Sequence, residues 1–180
     1  MRTLLLLLLT TTLLATLLAA CSVLPAAPPK PAVYDLGPPP AASAQPAPLQ
    51  LQVQPDPGLA GTAIVYRLAY QDPHRYQSYR DSQWLAPPDD LLASRLAQTL
   101  KTIGALRLQL SSFEQVFASP TQASVHLRVR ATLELAGQRR QRDFDLVLEA
   151  MPDAAGAVAA LARATDQLAA QLQDWLNTQT

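Results

Sequence analysis

The sequence contains few of the residues from which covalent and catalytic centres are built: one cysteine, two histidines and six glycines among 180 residues. A disulfide needs two cysteines, and a cysteine-based zinc site needs more ligands than this chain has. HExxH, P-loop, GxGxxG and GxSxG motifs are also missing, and we expect His74 and His126 to be ordinary surface side chains. The sequence therefore predicts no enzymatic activity, no cofactor and no metal site.

An excess of charge of one sign is missing too, because 14 Lys and Arg residues balance 14 Asp and Glu residues. Proteins that bind nucleic acid normally carry a basic excess on one face, so the composition argues against a nucleic-acid partner. Apolar residues make up 49% of the chain, which is enough for one domain with a buried core.

The one long apolar run lies at the N-terminus, where residues 4–18 comprise ten Leu, four Thr and one Ala after Arg2. A run of fifteen residues is too short to span a hydrocarbon core of about 30 Å, so residues 1–20 are predicted to be a signal peptide. The sequence LAAC that ends at Cys21 resembles the lipobox of bacterial lipoproteins, which predicts lipidation of Cys21. The alternative is an ordinary secretory peptide whose removal leaves Cys21 as a free thiol.

The predicted lipid anchor also indicates a location. Several acyl chains on one N-terminus hold a protein stably on a membrane, whereas a single chain binds only marginally. By resemblance to bacterial lipoprotein sorting, an Asp after the cysteine retains a lipoprotein in the inner membrane, and here that position holds Ser22. We therefore expect a protein that is lipid-anchored on the periplasmic face of the outer membrane.

Prolines are concentrated behind the cysteine, since eleven of the sixteen lie in residues 25–57. This composition has too little bulk to bury itself and should be extended. Residues 21–31 are predicted to be the lipidated N-terminus and tether, and residues 32–180 the domain, with a short strand at its start and a proline-rich loop over residues 38–48. If the short strand stays outside the domain, the tether is more than twice as long.

Alternation of apolar and polar residues predicts three further strands before residue 85, over residues 49–54, 62–70 and 75–84. A helix is predicted from Pro88 to Ile103, because a leucine stripe has helical spacing and acidic residues occupy the first turn. Gly104 is expected to cap the C-terminus of this helix.

Three strands are predicted after Gly104, the first with a bulge at Ser111-Ser112. The second and third are expected to form a long hairpin around a turn at residues 137–141, with Arg128 and Arg130 facing acidic residues across the strands. A last helix is predicted from about Asp153 to Leu176. This order predicts an α+β fold, a two-layer sandwich with a largely antiparallel sheet and two helices packed on one face.

One segment carries the residue types that interfaces favour. Residues 66–84 hold five of the ten aromatic residues together with three arginines, and Tyr, Trp and Arg are enriched at interface hot spots. Tyr66 and Trp84 are expected to pack in the core. Tyr76, Tyr79 and Arg80 are the predicted partner-contact residues, with core packing as their alternative.

A second candidate surface is rich in arginine. It consists of Arg128, Arg130, Arg139, Arg140 and Arg142. Because acidic neighbours partly cancel this charge, we expect an ordinary solvated strand surface. The alternative is contact with an acidic partner or with lipid headgroups.

Several short motifs follow one another along the chain. They are the lipobox, YDLG at residues 34–37, IVYR at 64–67, Tyr76, WLAPP at 84–88 before Leu91-Leu92, and WL at 175–176. In this combination they resemble the ABC-type transport auxiliary lipoprotein family over nearly the whole mature chain. The resemblance implies partnership with an MCE-domain protein and an ABC transporter that moves lipids between two membranes. It also implies that the Tyr-containing first strand belongs to the domain, whereas the proline-rich loop is longer than the family leads us to expect.

These observations lead to two hypotheses for function. The first is an auxiliary docking component of an MCE-type lipid transport system, acting as an oligomer of this chain. The second is a structural or regulatory lipoprotein whose tether reaches a cell-wall synthase or another envelope machine. A lipid carrier with its own cavity is less expected, because small sheets with two helices rarely leave room for acyl chains.

Overall fold

The computed structural model describes residues 30–39, 49–101 and 104–179. By internal contacts the chain divides into two units, Met1–Lys30 and Pro31–Thr180. The predicted signal peptide, the lipidation site at Cys21, and most of the tether and of the proline-rich loop lie outside the described residues. Their assignments therefore stay predictions.

The described residues of the second unit form seven strands and two α-helices, in the predicted order of four strands, a helix, three strands and a helix. A short 3-10 helix follows the second strand. The strands are β1 (Ala32–Tyr34), β2 (Leu49–Pro55), β3 (Ala63–Leu68), β4 (Gln77–Trp84), β5 (Gly104–Ser119), β6 (Gln122–Leu135) and β7 (Gln138–Ala150), and the helices are α1 (Pro88–Thr99) and α2 (Ala154–Asn177).

All seven strands belong to one sheet with the order β1-β4-β3-β5-β6-β7, and β2 also pairs with β5. The length of β5 lets two strands share one of its edges, with β2 along its first half and β3 along its second half, both parallel to it. β1 runs parallel to β4, whereas the β3–β4, β5–β6 and β6–β7 pairs are antiparallel. The α+β fold is confirmed, with a sheet that is more mixed than the sequence predicts.

The core lies between the sheet and the two helices. Alternate residues of β5 and β6 are buried, and so is the predicted stripe of α2. The N-terminus of α2 is capped by the carboxylate of Asp153, which accepts a hydrogen bond from Gly156 N at 2.6 Å. The helix-facing residues of the central strands and of α2 include Leu106, Leu108, Leu110, Val125, Leu127, Val129, Leu161, Leu168 and Leu172.

The predicted bulge is present, because the register of β5 on β6 shifts between Leu110 and Ser112. One extra residue at this point reverses which alternate residues of β5 face the core. Phe113 therefore joins the core against Trp84, with ring centroids 5.5 Å apart. Glu114 is left on the sheet face that carries no helix, where it pairs across the sheet with His126.

The predicted C-terminal end of the first helix was wrong. α1 ends at Thr99, and Leu100 is extended with φ −78° and ψ 138°. Gly104 begins β5 instead of capping a helix. Its φ is +124°, and a Cβ atom there would lie 3.0 Å from the carbonyl oxygen of Glu134, so both the backbone angle and the close strand neighbour require glycine. Ile103 lies outside the described residues.

The predicted turn between the last two strands was too long. Leu135 pairs directly with Gln138, so the turn consists of two residues, Ala136 and Gly137. Both have positive φ, at 50° and 76°, which is the geometry of the tight hairpin turn that matches the twist of the strands. The arginines at 139 and 140 therefore belong to β7.

Candidate functional site

The three residues predicted to contact a partner do not form one surface. Tyr79 is half-buried and packs against the core. Its ring centroid lies 4.7 Å from that of Tyr66, and its hydroxyl donates a hydrogen bond of 2.5 Å to Gln115 Oε1. Burial, together with the negative potential of Tyr66 and Asp153, raises the pKa of Tyr79 to about 12. These contacts favour the packing role for Tyr79.

Tyr76 lies on the other face of the sheet, which no helix covers and which we call the open face. Its side chain is 47% exposed, and the guanidinium carbon of Arg67 lies 4.0 Å from the centroid of its ring. Burial and the nearby Glu114 carboxylate raise the pKa of Tyr76. Arg80 is exposed and forms no ion pair within the described part of the chain.

Arg67 is held in place by Glu114. Its Nε and Nη2 atoms donate to the two carboxylate oxygens at 3.1 and 3.3 Å, and its Nη1 donates to the carbonyl oxygen of Pro73 at 2.6 Å. Such a two-point pair fixes the guanidinium plane. The pair therefore ties β3 to β5 and supports the Tyr76 ring from below.

His126 stands beside this pair on β6. Its Nε2 lies 3.2 Å from Ser124 Oγ. Burial and the positive charge of Arg128 lower its pKa, so the ring is neutral at pH 7. The ring is half-buried, whereas the sequence predicts an ordinary surface position. The link between Arg67 and Glu114 was not predicted, because the two residues lie 47 positions apart and no local pattern joins them.

The arginines of β6 are paired as the sequence predicts. Arg128 Nε donates to Asp145 at 3.0 Å and Arg130 Nε to Asp143 at 2.7 Å, and in each case the two residues are direct partners in the β6–β7 register. The carboxylates neutralise this part of the open face. The arrangement fits the expected solvated strand surface better than a cationic site for an acidic partner or lipid headgroups.

On the helix side, one buried guanidinium holds three parts of the chain together. Arg95, on α1, is 5% exposed. It donates from Nε to Asp166 on α2 at 2.9 Å, from Nη1 to the Gly37 carbonyl at 3.0 Å and from Nη2 to the Leu36 carbonyl at 3.0 Å. Leu36 is itself buried in the core. The segment that follows β1 is therefore locked against both helices.

A shallow groove of about 590 Å³ lies beside this segment. Two of its residues are large, apolar and exposed: Val33 at 52% and Leu85 at 64%. Among the lining residues only Asp35 is charged, and its carboxylate accepts a hydrogen bond from Gly37 N at 2.8 Å. The remaining lining comes from Tyr34, Leu36, Gly37, Val158, Ala159 and Ala162. The sequence does not reveal this groove, because its walls come from three separate segments.

Two features of the described residues concern metal binding and membrane spanning. Within residues 30–39, 49–101 and 104–179, no group of three or more His, Cys, Asp or Glu side chains is placed to hold a metal ion. In the same part of the chain, neither helix has the length and apolar character needed to cross a membrane.

Comparison with known proteins identifies the fold. No family model matches the sequence, and no curated protein matches it. A crystal structure of an uncharacterized protein is 21% identical with a TM-score of 0.65, and the match covers 81% of this chain and 98% of that one. Protein XCC0632 from Xanthomonas campestris, described under the family model DUF330, is 17% identical with a TM-score of 0.67, over 82% and 99% of the two chains. At these identities the likeness establishes a shared fold.

Proposed function

We propose that this chain is a lipid-anchored auxiliary protein of an MCE-type ABC lipid transport system. In this role it docks on the MCE-domain protein from the periplasmic face of the outer membrane and performs no chemistry itself. The proposal takes up the resemblance to the ABC-type transport auxiliary lipoprotein family, together with the lipobox that ends at Cys21 and the sorting position Ser22.

The observation that carries the proposal is the incorporation of β1 into the sheet. β1 pairs with β4, and Arg95 clamps the residues that follow it. Only residues 22–30, nine in number, then separate Cys21 from the domain. At about 3.1 Å per residue they reach at most about 30 Å. This short reach suits docking beside the membrane, whereas a cell-wall partner calls for a longer tether.

The residues that carry the family resemblance have structural roles, which supports their use as a signature. Leu36, Trp84, Trp175 and Leu176 are buried in one core. Pro88 starts α1, where its missing N–H costs no helical hydrogen bond. The motifs therefore share one hydrophobic core.

A capture experiment tests the proposal. Full-length protein with a C-terminal affinity tag is cross-linked in cells of its source bacterium, and the detergent-solubilised envelope is analysed by mass spectrometry. We expect an MCE-domain protein to be enriched over a Cys21→Ser control that lacks the anchor. Recovery of no MCE protein, together with intact outer-membrane lipid asymmetry in a deletion strain, would contradict the proposal.

Limited proteolysis separates the two hypotheses for function. If β1 is part of the domain in solution, the stable fragment begins near Lys30. A stable fragment that begins near Gln50 would mean a long tether and would favour the structural or regulatory lipoprotein.

A further inference from the structure

We propose that the groove beside β1 is a second membrane contact, made by the protein itself. In this arrangement Val33 and Leu85 enter the interface of the bilayer that carries the lipid anchor. The inference rests on the proposed function, because it requires that Cys21 be lipidated.

The position of the groove is the first argument. Its β1 wall begins at Val33, three residues after Lys30, the last residue before the second unit. The second unit, Pro31–Thr180, has 180 − 30 = 150 residues, and a domain of that size has a radius of gyration of about 15 Å. A tether of at most about 30 Å is shorter than the diameter of such a domain. The end of the domain where the chain enters must therefore stay close to the bilayer.

The chemistry of the groove is the second argument. Val33 and Leu85 lie on adjacent segments, since Leu85 N donates a 2.7 Å hydrogen bond to the Tyr34 carbonyl. Together they form an exposed apolar patch at the edge of the groove. The one charged lining residue, Asp35, is an anion, so attraction to acidic headgroups does not explain binding. The groove fits the apolar boundary of the acyl chains.

The length of β1 argues against an extended peptide as the occupant. Peptides that add to a sheet edge obtain their affinity from a row of main-chain hydrogen bonds. β1 has three residues, which offer too short a row. A bilayer needs no such row, because it takes up side chains without pairing the backbone.

The anchor makes a weak contact effective. Two partly exposed apolar side chains bind a bilayer poorly on their own, but a tethered domain meets the bilayer at a high local concentration. The contact should therefore orient the lipidated protein, with this end of the domain toward the membrane, and contribute little to the binding of a chain without the anchor.

A fluorescence experiment tests the inference. Cys21 is the one cysteine of the chain, and lipidation blocks its thiol, so Leu85→Cys provides a single site for an environment-sensitive dye. Val147→Cys is the matched control, because Val147 is 55% exposed and lies on β7, away from the groove. Both lipidated proteins are placed in phosphatidylethanolamine and phosphatidylglycerol vesicles that contain lipids brominated on their acyl chains.

We expect quenching at position 85 to be at least about twofold stronger than at position 147, with emission shifted to the blue. Adding Val33→Asp to the labelled Leu85→Cys protein should remove most of this difference. Because the contact is apolar, it should persist in about 1 M salt, where charge attraction is screened. Equal quenching at the two positions, or loss of the difference in salt, would overturn the inference.

The outcomes also separate this inference from the proposed function. Mass spectrometry of the mature protein reports acylation of Cys21 directly, and an unmodified thiol would remove the basis of both. An acylated protein without quenching at position 85 would remove the membrane contact alone. A blue shift without quenching by brominated lipid would indicate a protein in the groove, such as a second copy of the chain, and would also overturn the inference.

Discussion

The two faces of the sheet differ in the interactions that their side chains make. On the helix-covered face, β6 contributes Val125, Leu127 and Val129, all of which are 2% exposed or less. On the open face, the residues that alternate with them include Arg128 and Arg130, which are 51% and 63% exposed and paired with acids of β7. Burial stabilises the first face and in-register ion pairs order the second. Because exposed pairs contribute little free energy, the stability of the fold should depend mainly on the covered face.

Leu127→Ala and Arg128→Ala test this comparison most directly. The leucine change should lower the free energy of unfolding by about 3 kcal/mol, because it removes buried methyl groups and leaves a cavity. The neighbouring arginine change should cost less than about 1 kcal/mol, since its pair with Asp145 is exposed. Urea unfolding of the Cys21→Ser chain, followed by circular dichroism, measures both. Similar losses of free energy for the two variants would show that the two faces contribute equally to stability.

Arg95→Met tests whether a buried ion pair on the covered side behaves differently from those on the open face. It leaves the Leu36 and Gly37 carbonyls and the Asp166 carboxylate without their donor. Because Asp166 keeps 31% exposure, we expect a loss of about 2 kcal/mol, below the full cost of a broken buried pair.

Proteolysis of the Arg95→Met variant should also become faster at residues 31–37. Arg163→Met is the matched control, since Arg163 lies on α2 and donates at 3.2 Å to the Glu149 carbonyl at the surface. An unchanged rate of proteolysis at residues 31–37 in Arg95→Met would show that Arg95 does not hold this segment against the helices.

Tyr79→Phe and Tyr76→Phe extend the comparison to two tyrosines three positions apart. Tyr79→Phe removes the donor to Gln115 Oε1, and Gln115 is fully buried, so a loss of about 1–2 kcal/mol is expected. Tyr76→Phe keeps the ring that packs against the Arg67 guanidinium and should leave stability nearly unchanged. Thermal unfolding compares the stability of the two variants. A larger loss for Tyr76→Phe than for Tyr79→Phe would mean that contacts on the open face contribute more to stability than expected.

The smallest expected effect is a pH dependence from His126. Burial and Arg128 hold its pKa below the value of about 6.5 in the unfolded chain. The unfolded state therefore binds more protons as the pH falls through about 6.5, and the free energy of unfolding falls with it. His126→Gln should flatten the stability profile between about pH 7 and 5. His74→Gln, in an exposed turn, is the control, and an unchanged slope in His126→Gln would show that another group causes it.

The strands and helices could be read from the sequence where a pattern repeats over many residues. The alternation in β6 and β7 predicted the hairpin and acidic partners for Arg128 and Arg130, whereas the particular pairs with Asp145 and Asp143 follow from the two-residue turn. The two wrong boundaries lie where the pattern ends. A glycine fits equally well at a helix end and at a strand start, so only the approach of Glu134 to Gly104 decides between them.

The candidate site was predictable only in part. Composition identified the aromatic and arginine-rich segment, but it did not show that Tyr79 faces the core while Tyr76 lies on the open face above Arg67. A bulge between Ala63 and Val65 in the β3–β4 pair disturbs the simple count of alternate residues. Since a shift of one residue moves every side chain to the other face, the sequence could not assign these faces.

The sequence by itself determined the features that depend on near neighbours: the leucine-rich N-terminal run with its LAAC segment, the alternation of the longer strands, the helical stripe of α2 and the hairpin of β6 with β7. Tertiary structure alone decided that β2 and β3 share one edge of β5, that Arg95 joins three segments, and that Val33 and Leu85 line one groove. The physical reason is distance along the chain. Local patterns repeat with the period of a strand or a helix, whereas contacts between remote segments form only when the whole core has been packed.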